Sequence, residues 1–433
     1  MPIQNGDGTK FVNSLGLKGL MELHLSQEVQ IKSYTVEPAS HGNGHMTRSE
    51  LNRVYINFST ATTKQDVFKV IAKVKPLKGT LIEEFNNSDA FEKETLMYTK
   101  VIPILKEHLQ KYGVKLNFAP QLIHAIKSPT EVLFLEDLSN EGFSTESPSM
   151  GLNLEQSKFA LEKLAFFHAA SACLIEKSPE LLAKFDKGTF HQDYQSKLHY
   201  FTEAFRYVVE HGKELGIDNA TLVKLKQLPS VLTKKAIETY TDEKVQFKVL
   251  NHGDFYTSNI LFKYGNNGKL TDCVFVDYQN CFVGSPVIDL IYFLTTSVAP
   301  EVLETYRNDL IYAYHDSLDV ILTSLDYQGQ KPTLLELQVD LLKKGALEVI
   351  FTLTAAPYLR SSDKKIAPAI IPSLYNDDIN KDFKSIGITM LKENKEFLLS
   401  QLNRFSYLGL FEWGVVENKV RGIMGRFQQM SVK

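Results

Sequence analysis

His252-Gly253-Asp254-Phe255-Tyr256-Thr257-Ser258-Asn259 leads through Ile260-Leu261-Phe262 and a Gly265-Asn266-Asn267-Gly268 turn to Val274-Phe275-Val276-Asp277-Tyr278-Gln279. The apolar runs on either side of the turn read as two strands of a hairpin. Polar residues therefore collect at its mouth, with Asp254 and Asn259 before the first strand and Asp277 after the second. The five-residue step from Asp254 to Asn259 lets one loop aim an acid at one reactant and an amide at another. Phosphoryl transfer needs that division: an acceptor for the proton of a hydroxyl nucleophile, and oxygen ligands for the cation that neutralises the phosphates. Asp254 suits the first task; Asn259 and Asp277 suit the second. Each alone would pass for a turn or cap residue. Together, in a strand-loop-strand setting, they point to chemistry.

Upstream of this hairpin the chain is rich in strands. After an amphipathic opening helix, the runs 27–37 (QEVQIKSYTVE), 51–59 (LNRVYINFS) and 67–75 (VFKVIAKVK) alternate as strands of an antiparallel sheet. The polar turn HGNGHMTRSE separates the first two, and its Gly42 and Gly44 could bring backbone amides near phosphates as readily as they make an ordinary hairpin turn. From Asp89 to about Tyr112 the spacing is helical, with Phe91, Leu96, Met97, Val101 and Leu105 placed to cover the sheet. Two further strands, 118–126 and 131–138, follow, the second ending in Leu135-Glu136-Asp137-Leu138.

From Leu154 onward the apolar residues recur at helical intervals. The expectation is an α+β chain with a small antiparallel-sheet lobe over residues 1–138, a linker near 136–143, a larger helical lobe over 139–433, and a ligand cleft between the lobes.

Composition excludes several classes. Lysine and arginine total 48 against 51 acidic residues, which gives no nucleic-acid footprint and no general attraction to anionic membranes. Cys173, Cys273 and Cys281 show neither disulfide nor zinc spacing, and read as buried thiols in a reducing compartment. The most apolar stretch, PVIDLIYFLTTSVA, is too short to span a bilayer and contains Asp289. These features predict a soluble, cytoplasmic protein with no obligate protein partner.

In the segments HGDFYTSNILF, FVDYQ and GSPVIDLIYFL the sequence resembles the protein-kinase-like superfamily, and within its aminoglycoside and choline kinase branch the ecdysteroid-kinase-like family, also called CHK-kinase-like. The resemblance runs over most of the chain; Tyr256 stands where that family more often has tryptophan. It implies a bilobal protein-kinase-like fold, ATP and Mg2+ as cofactors, and Asp254 as the catalytic acid-base residue with Asn259 and Asp277 on the metal. It also implies that Lys73, ending the third strand, holds the α- and β-phosphates and is positioned by Glu94. Lys75 and Glu92 are rival assignments. Ile71 would face adenine, with the Glu136–Leu138 backbone at its edge, although solvated acids at a strand end explain that segment too. Ser49, with Arg53, matches the family pattern at the nucleotide-covering turn and would touch phosphate. Asp289 would accept hydrogen bonds from the catalytic-loop backbone around His252.

His168, on an apolar helix, reads as a satisfied core histidine. The aromatics Phe201, Phe205, Tyr207, Tyr292 and Phe293 could line a pocket, although helical stripes of this kind are usually core. The expected function is transfer of a phosphoryl group from ATP to the hydroxyl of a small, lipophilic molecule such as an ecdysteroid. A protein kinase is disfavoured because DYQNCFVGSPVIDL replaces the Asp-Phe-Gly and Ala-Pro-Glu landmarks. A catalytically silent scaffold is disfavoured because Asp254, Asn259, Asp277 and Lys73 are all present.

Overall fold

The computed structural model describes residues 14–39, 50–75, 89–128, 130–362 and 381–412. These divide between two compact units, one drawn from Met1–Glu146 and Ser258–Asn280, the other from Ser147–Thr257 and Cys281–Lys433. The first carries the main sheet and the second most of the helices, which is the α+β, protein-kinase-like arrangement.

In the first unit, β1 (Gln30–Pro38), β2 (Glu50–Ser59), β3 (Asp66–Val74), β4 (Leu122–Ile126) and β5 (Val132–Glu136) form an antiparallel sheet in the order β1-β2-β3-β5-β4. Side chains alternate across a pleated strand. Val54, Ile56 and Phe58 of β2 and Val70, Ala72 and Val74 of β3 therefore share a face, which Leu17, Leu20 and Met21 of α1 (Ser14–Leu25) cover. The other phase turns Ile71 and Lys73 to the opposite face, across from Arg53 and Leu51 on β2 and from Leu135 and Leu133 on β5.

Helix α2 (Ala90–Leu96) runs through a π turn, Met97–Val101, into α3 (Ile102–Lys111). The sequence spacing predicts a helix laid over the sheet. Phe91, Met97, Val101 and Leu105 are indeed buried, but α2 packs chiefly on the Tyr278–Asn280 turn, because Glu94 is drawn to that region and Tyr98 meets the Tyr278 ring edge-on at 5.8 Å. The hairpin of β8 (Ile260–Tyr264) and β9 (Leu270–Phe275) pairs with β6 (Phe143–Thr145). Leu261 and Val274 pack there on Leu138 and Phe143, and this burial joins the hairpin to the sheet-bearing unit. Gly268 takes a φ of 73° in its turn, a conformation that costs glycine little.

In the second unit, α4 (Leu154–Lys177) starts at a capping box in which Asn153 and Gln156 satisfy each other's backbone amides at 2.9 Å each. The helices α5 (Gln195–Glu210), α6 (Asn219–Leu225) and α7 (Pro229–Tyr240) precede β7 (Val249–Asn251), which pairs antiparallel with β10 (Phe282–Gly284). Then come α8 (Val287–Thr296), α9 (Pro300–Ser324), α10 (Leu334–Lys343), α11 (Gly345–Leu353), α12 (Ala355–Leu359), α13 (Lys381–Glu393) and α14 (Lys395–Tyr407). Among the described residues no helix is long and apolar enough to cross a membrane, and all three cysteines are buried free thiols.

Three helices are tied by one carboxylate. Glu348 on α11 is buried and accepts from Arg307 on α9 at 3.1 Å and from Arg404 on α14 at 2.7 Å and 3.2 Å. Burial opposes its charge, yet the two guanidiniums hold its carboxyl below the usual pKa. A depressed folded-state pKa contributes stability above the unfolded-state value of about 4.3, and this is lost as pH falls through the folded value. Glu348→Gln leaves both arginines without their shared anion and is expected to cost about 3 kcal/mol at pH 7. Thermal melts of wild type and variant at pH 7 and pH 4 check this: the gap should narrow on acidification.

Candidate active site

The site residues fall into two groups, one in each unit. In the first unit the alternation of β3 aims Lys73 away from the α1 core, and its ammonium lies 2.5 Å from Glu94 Oε2 and 2.8 Å from Asp277 Oδ1. Lys75 pairs instead with Glu131 at 2.6 Å, and Glu92 is exposed. Lys73 and Glu94 are both enclosed. Burial works against the lysine charge, but Asp277 and Glu94 outweigh it and raise its pKa. Burial holds the Glu94 carboxyl above its usual range despite the lysine. Through Lys73, which reaches both Glu94 and Asp277, the helix is tied to the turn that follows β9.

The hairpin register sets Ile260 opposite Phe275, and the Val276 amide donates to the Asn259 carbonyl at 3.0 Å. Asn259 and Asp277 therefore stand at one end of the same hairpin. Asp277 has a φ of 68°, a left-handed conformation unfavourable for most side chains and tolerated best by asparagine and aspartate. The surroundings hold it there. The Tyr278 ring next to it is fully buried and its hydroxyl donates to the Phe118 carbonyl at 2.9 Å, while Gln279 Nε2 donates to Asp277 Oδ2 at 3.1 Å.

Ile71 lies on the Lys73 face, opposite Leu135. The Glu136 amide is committed to the Gln121 carbonyl at 2.9 Å, and its carboxylate accepts from the Gln121 amide at 3.0 Å. Leu138 opens a 3-10 turn, where the first amides have no partner within the turn. Asp137 beside it is bound by Arg53 Nε at 2.6 Å and by Ser139 Oγ at 2.7 Å. The sequence marks Arg53 only through the family pattern at the nucleotide-covering turn and gives no sign of this partner, which lies 84 residues away. Gly42, Gly44 and Ser49 lie outside the described residues.

In the second unit, Asp289 sits in the first turn of α8 and is almost fully enclosed. Its carboxylate accepts from the backbone amides of His252 at 2.6 Å and Gly253 at 2.9 Å, and contacts His168 Nε2 at 3.2 Å. The other nitrogen of His168 is 2.7 Å from the Tyr314 hydroxyl, so both its ring atoms are engaged and the histidine is a satisfied core residue that also steadies Asp289. One helical turn after Asp289, Tyr292 hydrogen-bonds the half-buried Asp254. Burial and the charge of Asp254 push the Tyr292 pKa well up, and Tyr240 and Tyr358 feel the same charge.

Tyr256 and Tyr292 begin a chain of ring contacts, with centroids 6.3 Å apart. Tyr292 to Phe351 follows at 4.9 Å, Phe351 to Phe201 at 6.2 Å and Phe201 to Tyr200 at 5.2 Å. Of the aromatics singled out in the sequence, Phe201 and Tyr292 are partly exposed on this wall, while Phe205, Tyr207 and Phe293 are core.

The donor set bears on a cation. Among the described residues no three histidine, cysteine or acidic side chains gather as a metal cage. Asn259 and Asp277 supply hard oxygens, and Gln279 Oε1 is a buried oxygen with no hydrogen-bond partner among the described residues. Few protein oxygens, all carboxylate or amide, fit a cation that keeps water and phosphate oxygens in its shell, as Mg2+ does.

No curated protein matches the chain. The model of the ecdysteroid kinase-like family matches residues 43–327, a span that takes in the Lys73–Glu94 pair, the Asp254 loop, the Asp277 turn and Asp289, and the chain belongs to that family.

Proposed function

We propose that this chain is an ATP- and Mg2+-dependent phosphotransferase acting on the hydroxyl of a small, lipophilic molecule. The observation that carries the reading is Lys73 held between Glu94 and Asp277 at 2.5 Å and 2.8 Å, a cation fixed where phosphate oxygens are to be bound. Membership of a kinase-like family supports it.

In this reading Lys73 binds the α- and β-phosphates, and Glu94 keeps its long side chain from collapsing wholly onto Asp277. Asn259 and Asp277 hold Mg2+, which when bound neutralises charge developing on the transferred group. Ile71 covers the adenine face and the Leu138 amide meets its edge. Asp254 takes the proton of the acceptor hydroxyl while the Tyr292 hydroxyl fixes the orientation of its carboxylate. Asp289 holds the His252 and Gly253 amides, and only four residues of chain then separate Asp254 from Asn259. The partly exposed rings of Tyr292, Phe201 and Tyr200 favour an acceptor with an apolar body, since such surface gains by leaving water.

Purified protein with Mg2+ and γ-labelled ATP should label at least one alcohol in a panel of steroid and other ring alcohols or in a cell extract, read by mass spectrometry. ATP binding with no labelled product in either would sink the enzyme reading and favour a silent binding protein.

A further inference from the structure

Gln279 closes the FVDYQ segment but has no part in the proposed roles. It lies in the Tyr278–Asn280 turn and is buried. Its Nε2 donates to Asp277 Oδ2 at 3.1 Å, while Lys73 takes the other oxygen of the same carboxylate. A carboxylate accepts and does not donate, so the amide must present its N–H end to Asp277, and this fixes which end is oxygen. That oxygen, Oε1, is enclosed and has no hydrogen-bond partner among the described residues.

An enclosed carbonyl oxygen without a donor is unfavourable unless something else binds it. Nitrogen and oxygen share one carbon, so an oxygen whose N–H touches Asp277 stays close to whatever that carboxylate holds. The neighbouring charges, Lys73, Glu94 and Asp277, leave one negative charge when all three are ionised, which favours a cation as the missing partner.

We propose that Gln279 is a further oxygen donor of the cation site, Oε1 binding the divalent cation itself or a water in its shell, while its N–H keeps the Asp277 carboxylate turned toward that cation. This rests on the assignment of Asp277 to the cation. The amide does two jobs with opposite chemistry, and substitution can separate them. Methionine keeps the length and apolar stem but offers neither N–H nor carbonyl oxygen. Glutamate keeps an oxygen in place of Oε1 and loses the N–H.

The test uses the full chain, Mn2+ as the cation, and a non-hydrolysable ATP analogue. The quantity measured is the factor by which saturating Mn2+ tightens analogue binding, beside the affinity without metal. Gln279→Met is expected to cut that factor about tenfold or more, with metal-free affinity and melting temperature unchanged. Gln279→Glu is expected to keep the factor at or above the wild-type value. Equal losses in both variants overturn the oxygen-donor role, because only the N–H would then matter, and an unchanged factor in Gln279→Met overturns it as well. Asp277→Ala is the control: if it alone abolishes the Mn2+ effect, the cation site stands and Gln279 is no part of it. If Asp277→Ala leaves the effect intact, the cation assignment itself falls, and this inference with it.

Discussion

Asp254→Asn is expected to slow phosphoryl transfer about a thousand-fold, within the range found when a positioned general base is removed, while affinity for ATP changes less than about twofold. The asparagine has nearly the same shape, and its carbonyl can still accept from Tyr292, which hydrogen-bonds Asp254 in the native site. The loop beneath it is held by backbone amides on Asp289 at 2.6 Å and 2.9 Å, and these do not involve the Asp254 side chain. The substitution therefore removes proton acceptance and little else. Steady-state rates with the acceptor found by labelling, beside equilibrium binding of an ATP analogue, make the measurement. A variant that keeps a tenth of the wild-type rate would show that Asp254 is not the base.

Asp277→Ala should have an effect of similar size by another route, a fall of about a thousand-fold in kcat/KM together with loss of the tightening that Mg2+ gives to nucleotide binding. Folding should survive. Lys73 keeps Glu94 at 2.5 Å, so no buried cation is stranded. The charge of Asp277 helps to raise the Glu94 pKa, so removing it makes Glu94 easier to ionise beside the lysine. Alanine also relieves no packing, because the neighbouring Tyr278 stays anchored to the Phe118 carbonyl at 2.9 Å. Calorimetric binding of the analogue with and without Mg2+ separates this from general damage. If the Mg2+ dependence is unchanged in the variant, the cation is held elsewhere.

Much of the fold was legible because it is written in short periods. The alternation in residues 51–59 and 67–75 specified which side chains share a sheet face, and so which phase carries Ile71 and Lys73. The helical spacing after Leu154 likewise anticipated α4 and α5. What the helical stretch after Asp89 packs on was misjudged for a reason of the same kind. The periodicity of residues 89–112 shows that one face is apolar but not what that face meets, and α2 meets the Tyr278–Asn280 turn.

The site divides along the same line. The sequence by itself determined the residues of the 252–259 loop and its hairpin, because a five-residue step and a short strand-turn-strand leave the chain few ways to arrange Asp254, Asn259 and Asp277. Only the tertiary structure decided that Lys73, and not Lys75, meets Glu94 and Asp277, the latter 204 residues away. It alone put His168 beneath Asp289, Arg53 on Asp137 and Tyr292 on Asp254. It also showed that the Gln279 amide is spent at one end and open at the other. Local order follows from backbone geometry repeated every two or 3.6 residues. Partnerships between distant side chains depend on how whole faces pack and on which buried charges must find a counter-charge, and no period in the chain records that.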